Sequence, residues 1–209
     1  AKTGFIEEGN VGGGTGMVCY EFKGGTGTSS RKVSDKFGGW TVGALVQSNF
    51  GRRHQFTLAG VPVGKHIRDG ILWPASEDPF AQESGSLIVI IATDAPLLPH
   101  QLKRLAKRAT LGMARTGSMG GNGSGDIFLA FSTANANAAH GDEKGISNIQ
   151  TLSNDHIDPL LASSTLATEE AIINSMVAAV DMKGHKDMDV NTLPHKEAQA
   201  ILKQYNRIK

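Results

Sequence analysis

The sequence is poor in cysteine, in aromatic residues and in net charge. Its single cysteine, Cys19, excludes an intrachain disulfide framework and a cysteine-rich zinc site. Lys and Arg number 21 against 20 Asp and Glu, leaving a net charge of +1. That balance argues against a nucleic-acid partner held by bulk charge. No apolar run is long enough to cross a bilayer, and the best, Leu87 to Ala92, has the length of a strand. No membrane partner is expected. The first residues, Ala1-Lys2-Thr3-Gly4, lack a methionine and the charged-then-apolar order of a signal peptide. A processed start or a piece of a longer chain is expected, with a cytoplasmic location.

Glycine is what the sequence has in excess, 26 of 209 residues, where about 7% is usual. With 39% hydrophobic and 20% charged residues the chain reads as globular, and its length suits one domain over 1–209. Residues 9–27 hold two glycine clusters around a short apolar stretch, Met17 to Phe22. A phosphate-cradling loop and a tight hairpin system lining a pocket compete as readings. The nucleotide reading fails on detail. No Lys-Ser/Thr follows the glycines, and Gly12, Gly14 and Gly16 are spaced G-x-G-x-G without a strand before them. No cofactor is expected, and the seven scattered histidines offer no H-E-x-x-H metal site.

Thr41 to Asn49 reads as a buried strand, and Ser86 to Ala92, apolar on both faces, as a central one. Residues 68–85, with Trp73-Pro74 and Asp78-Pro79, read as a surface excursion. Pro99 opens a helix with Leu102, Leu105, Ala106, Ala109 and Met113 on one face. The basic stripe Lys103, Arg104, Lys107 and Arg108 on the other reads as a solvated face. Ile127 to Thr133 is a further strand, 134–163 is loop by composition, and Thr168-Glu169-Glu170 has the form of a capped helix start. A last helix follows Thr192.

One local pattern carries chemistry. The loop Gly117 to Gly123 has four glycines in seven residues and delivers Ser124 to the start of the strand at 127. An ordinary turn with a capping serine is one reading. The other is an N-terminal nucleophile: cleavage of the Gly123–Ser124 bond would give Ser124 a hydroxyl and a free α-amine. That amine titrates near pKa ~8 and can serve as its own general base. A G-x-S-x-G nucleophile elbow is excluded, because Asn122 stands where the first glycine should be.

The stretches GGGTGMVCYEFKGGTGTSSR, VGALVQSNFGRR, AGVPVG, ATDAPLLPHQLKRLAKRATLGMARTGS, GNGSGDIFLAFSTAN and TEEAIINSM resemble the L-aminopeptidase/D-esterase family, which includes the β-peptidyl aminopeptidases. The resemblance implies a four-layer α/β/β/α sandwich like that of Ntn hydrolases with different connectivity, shared with ornithine acetyltransferases. It implies a precursor that cuts itself at Gly123–Ser124 into 1–123 and 124–209. The product would release N-terminal residues from small peptides, amides or esters, as a homo-oligomer of processed chains. By the same resemblance Ser124 is the nucleophile, Gly123 the cleaved partner and Tyr20 an oxyanion-holding hydroxyl. The family's Ser-x-Glu pair falls on Thr168 and Glu170, with Glu169 the alternative if the register slips by one. Asn49 is the choice for an active-site asparagine. Tyr20 as core, Asn49 as a turn former and the two glutamates as helix-terminal charge remain the plainer readings. Ser124 is expected at the start of a strand near the sheet's centre, lining a pocket with Tyr20 and one of the two carboxylates. The family usually carries a substantial segment before GGGTG, which these residues lack. An acyltransferase of the ornithine acetyltransferase type and a non-enzymatic ligand-binding protein on the same scaffold are the alternatives. The serine, where the acyltransferases generally use threonine, speaks against the first.

Overall fold

The computed structural model describes residues 4–73 and 85–209. Most of the excursion read at 68–85, including Asp78-Pro79 and Phe80, lies outside the described residues. Two short strands, β1 (Val18–Cys19) and β2 (Phe22–Lys23), form a hairpin between the glycine clusters. The main sheet runs β3 (Gly25–Lys32), β4 (Thr41–Asn49), β5 (Ser86–Thr93) and β6 (Ile127–Ser132) in that order. The first two pairings are antiparallel and β5–β6 is parallel. Helix α1 is a single turn, Val63–His66, followed by α2 (Pro99–Lys107), α3 (Ala109–Arg115), α4 (Asp158–Val177) and α5 (His195–Gln204). A last two-stranded pair joins β7 (Met182–Lys183) to β8 (Asp189–Val190).

The period of two places one face of the sheet in the core. Val42, Ala44 and Val46 of β4 and Leu87, Val89 and Ile91 of β5 are buried, and α4 packs on β3 and β4 through Ala167, Ala171, Ile172 and Met176. The described residues thus build one helix layer and one sheet layer of the expected sandwich. The opposite face of the sheet is apolar and open, with Ile88, Ile127, Leu129 and Phe131 exposed. A groove of about 500 Å³ lies on that face, lined by Phe5, Ile6, Leu45, Ile90 and Phe131 among others.

Three expectations need correction. The helix opened by Pro99 divides at Arg108: its N–H bonds the Leu105 carbonyl, and the Thr110 hydroxyl takes the Lys107 carbonyl. Thr168 does not cap a helix. Helix α4 starts ten residues earlier, at Asp158, with Pro159 in its first turn. Residues 158–163, read as the end of a loop, are its first turns, and the hydroxyls of Ser163 and Thr168 donate to the helix's own carbonyls of Pro159 and Ser164. And β6 lies at the edge of the described sheet, so Ser124 precedes an edge strand rather than one near the centre.

Candidate active site

One end of the sheet, where β4 finishes and β5 and β6 begin, gathers several of the candidate residues. Ser124 sits three residues before β6, half-buried, and its N–H bonds the Gly121 carbonyl at 2.9 Å to close a four-residue turn. The next two residues fasten that turn to β5. Gly125 N–H donates to Ser86 Oγ at 2.9 Å, and Asp126 Oδ1 accepts the Leu87 N–H at 2.7 Å. Asn49 stands opposite Ser86 in the β4–β5 register, and its Oδ1 accepts the Val18 N–H at 3.0 Å. Ser86 therefore lies between Asn49 and the Ser124 turn.

Tyr20 occupies the loop between β1 and β2. Its N–H bonds the Phe50 carbonyl, and its ring packs against Phe50 and Phe56 with centroids 5.1 and 5.0 Å away. The side chain is fully buried. Its hydroxyl lies 2.7 Å from Thr116 Oγ1. Thr116 has one proton and gives it to the Met113 carbonyl at 2.7 Å. Tyr20 is therefore the donor to Thr116, and its lone pairs are what it presents elsewhere. Donation to an oxyanion requires giving up that bond, worth about 1 kcal/mol net.

The three residues from α4 go separate ways. Thr168 is buried against the helix's own backbone. Glu169 pairs with Arg115 at the end of α3, one residue before the threonine that holds Tyr20. Glu170 crosses to β3, where it accepts the Ser29 hydroxyl at 2.9 Å and pairs with Arg31. Glu169 is thus tied to the support of Tyr20, while Glu170 joins helix to sheet. None of the candidate residues lines the groove on the open face. Among the described residues no three of His, Cys, Asp and Glu come together as a metal-binding group.

Two buried cations went unread in the sequence. Lys23 gives its ammonium to the carbonyls of Gly14, Met17 and Gly24 at 3.1, 2.7 and 2.7 Å, drawing both glycine clusters around one charge. Loss of hydration lowers its pKa to about 8, and Cys19 opposes this in part. Unfolded, Lys23 holds its proton to pH 10.5. Between pH 8 and 10.5 the unfolded chain binds the extra proton, so stability rises with pH through that window. Urea denaturation of the protein and of Lys23→Met should therefore show a stability difference that shifts in favour of Lys23 from pH 8 to 10.5. A difference flat across that range would mean an ordinary lysine.

Arg53 is the second cation, 2% exposed and surrounded by carbonyls. Burial lowers its pKa to about 10, with Glu21 and Glu197 opposing, so it stays charged near neutral pH. In the sequence it sat in a polar turn, Gly51-Arg52-Arg53-His54, and no local signal marks it as interior.

Residues 1–190 match the model of peptidase family S58. The chain belongs to that family. It is 50% identical over 216 residues to the β-peptidyl aminopeptidase BapA of Sphingosinicella microcystinivorans, covering all of this chain and 54% of the relative. Among solved structures, the L-aminopeptidase D-Ala-esterase/amidase of Ochrobactrum anthropi superposes with a TM-score of 0.86 at 46% identity, over 100% of this chain and 55% of that one. That enzyme is described as a prototype for the serine aminopeptidases and a new variant among the Ntn hydrolase fold. A Burkholderia sp. β-aminopeptidase matches with a TM-score of 0.83 at 45% identity, over 97% and 55% of the two chains. The S58 chain described here spans about half the length of these relatives. The α/β fold expected from the sequence is the fold these members share.

Proposed function

We propose that the protein carrying this chain is a self-processing serine aminopeptidase. It releases N-terminal residues from small peptides, amides or esters, in the manner of the β-peptidyl aminopeptidases it resembles. The observation that carries the reading is the S58 match across the chain, with Ser124 on a glycine-rich turn fastened to the start of β5. In the first step Ser124 Oγ attacks the Gly123 carbonyl carbon. The C–N bond breaks, the acyl group moves from nitrogen to oxygen as the hydroxyl proton passes to the departing nitrogen, and an ester results. Water then hydrolyses the ester, leaving a carboxylate on Gly123 and a free α-amine on Ser124. In turnover that amine, with pKa ~8, takes the hydroxyl proton as Oγ attacks the substrate carbonyl, and returns it to the leaving amine. Water releases the acyl group. Tyr20 turns its hydroxyl from Thr116 to the oxyanion, and a carboxylate from Glu169 or Glu170 biases the amine's protonation.

Assembly of processed chains into a homo-oligomer is part of this proposal, and it rests on the resemblance to the family. Intact-mass spectrometry of freshly made protein tests the core of it. Two chains are expected, one beginning at Ser124. A single uncut chain in active enzyme would overturn the mechanism.

A further inference from the structure

The loop joining β1 to β2 breaks a rule of hairpin chemistry. Cys19 pairs with Phe22, so Tyr20 and Glu21 make the loop alone, and both have positive φ, 52° and 63°. That is the pattern of a type I′ turn, which Asn-Gly and similar pairs adopt without strain. Here it is filled by two large residues with a Cβ, both fully buried. Such a conformation persists only where its surroundings over-determine it, and it points to a site where that side chain is needed in that place.

The surroundings that do so converge on Arg53. Its Nε–H donates to the Tyr20 carbonyl at 3.0 Å, and Nη2 to the Glu21 carbonyl at 2.8 Å and the Gly70 carbonyl at 3.2 Å. Nη1 takes the carbonyls of Ile67 and Asp69 at 3.2 and 2.8 Å. All of the guanidinium's donors are engaged, and its Cζ lies 3.5 Å from the centroid of the Phe22 ring. From the other side, the Glu21 carboxylate accepts the N–H groups of Arg53, Leu72 and Trp73. Gly51, at φ 88°, presses its backbone on the Tyr20 ring so closely that an added Cβ would stand 2.4 Å from it. The far end of the ring is where Thr116 receives the hydroxyl.

We infer that Arg53 is a positioning residue for the aminopeptidase reaction: by holding both carbonyls of the left-handed Tyr20-Glu21 turn, it fixes where the Tyr20 hydroxyl stands. The inference rests on the reading of Tyr20 as a member of the catalytic site. A lysine cannot replace the guanidinium, because one ammonium cannot reach five acceptors spread around a plane.

A double-variant cycle in the processed, full-length protein decides it, with Tyr20→Phe, Arg53→Lys and their combination assayed on an amino-acid p-nitroanilide. Tyr20→Phe is expected to lower kcat about 100-fold, the scale of one lost oxyanion donor. Arg53→Lys should lower kcat about tenfold with KM little changed, as a displaced catalytic group does. In the Tyr20→Phe background the same Arg53→Lys change should move kcat by less than about twofold, since the hydroxyl it aims is gone. Equal losses from Arg53→Lys in both backgrounds, or no loss in either, overturn the inference while leaving Tyr20 in the site. Full activity of Tyr20→Phe removes Tyr20 from the site and the inference with it. If Arg53→Lys does not fold, the cycle is run with Glu21→Gln, which loosens the other clamp on the turn. There too additivity with Tyr20→Phe overturns the inference.

Discussion

Ser124→Ala is expected to leave the Gly123–Ser124 bond whole and to reduce aminopeptidase activity by at least about a thousandfold, the scale on which loss of a nucleophile acts. Both effects follow from one oxygen. In the proposed mechanism the hydroxyl that attacks the Gly123 carbonyl is the same hydroxyl that attacks the substrate, and the amine that assists it does not exist until the first reaction is complete. The fold should survive. Ser124 is half-buried in a turn closed by its backbone N–H, which alanine keeps, so the stability change should stay within about 0.5 kcal/mol. Ser124→Cys should retain part of the self-cleavage, because a thiol can make the same attack. Mass spectrometry reads the cleavage and a p-nitroanilide assay the turnover. Normal turnover by the alanine variant would end the assignment of Ser124.

The second large effect is on stability. Gly27 of β3 lies directly under α4, and a Cβ added there would stand 2.0 Å from the Ala171 carbonyl oxygen and 2.7 Å from the Ser175 nitrogen. Both are helix backbone and cannot rotate aside. An alanine in a strand is ordinarily the better residue by about 0.5–1 kcal/mol. Here Gly27→Ala must lift α4 from the sheet, straining the Asn174 bond to the Thr28 carbonyl and the Glu170 contacts with Ser29 and Arg31. Destabilisation of about 3 kcal/mol is expected, the upper range for overpacking. Since α4 also carries Glu169, activity should fall with it. Chemical denaturation measures the first quantity, and a change below about 0.5 kcal/mol would mean that the helix stands clear of the strand.

Much of the sheet was legible because its strands are written in hydrophobic pattern. β4 alternates, β5 is continuously apolar, and both were located from those patterns alone. β3 was not, since Gly-Thr-Gly-Thr-Ser-Ser-Arg-Lys holds no apolar residue. It is a strand because β4 pairs with it along its whole length and because glycine lets α4 come close. The site divides in the same way. Ser124 stands out through a local pattern of glycines before a strand, but that pattern fits an ordinary turn as well, and its proposed role comes from the resemblance. Tyr20 and the Glu169-Glu170 pair were reached only by resemblance. Thr116 and Arg53 were reached by neither, because what matters in them is contact across the chain. Thr116 meets Tyr20 over 96 positions and Arg53 meets it over 33. A residue whose role is to hold another at such distances leaves no spacing to read.

The Tyr20-Glu21 turn has a bearing on how this protein can be made hardier. Heat resistance is commonly sought by replacing residues in awkward backbone conformations with ones that adopt them freely, and this turn is the first place such a search would stop. Asn-Gly there would relax two left-handed residues and let the hairpin form on its own. It would also delete the phenol that the turn holds in place and the Glu21 carboxylate that accepts the N–H groups of Arg53, Leu72 and Trp73. On the proposed mechanism, the awkward conformation marks where stability and catalysis draw on the same atoms. Hardening is better sought at exposed positions of α5 other than Glu197, whose charge acts on Arg53; at His195 and Gln199, for example, helix propensity can be improved away from the hairpin.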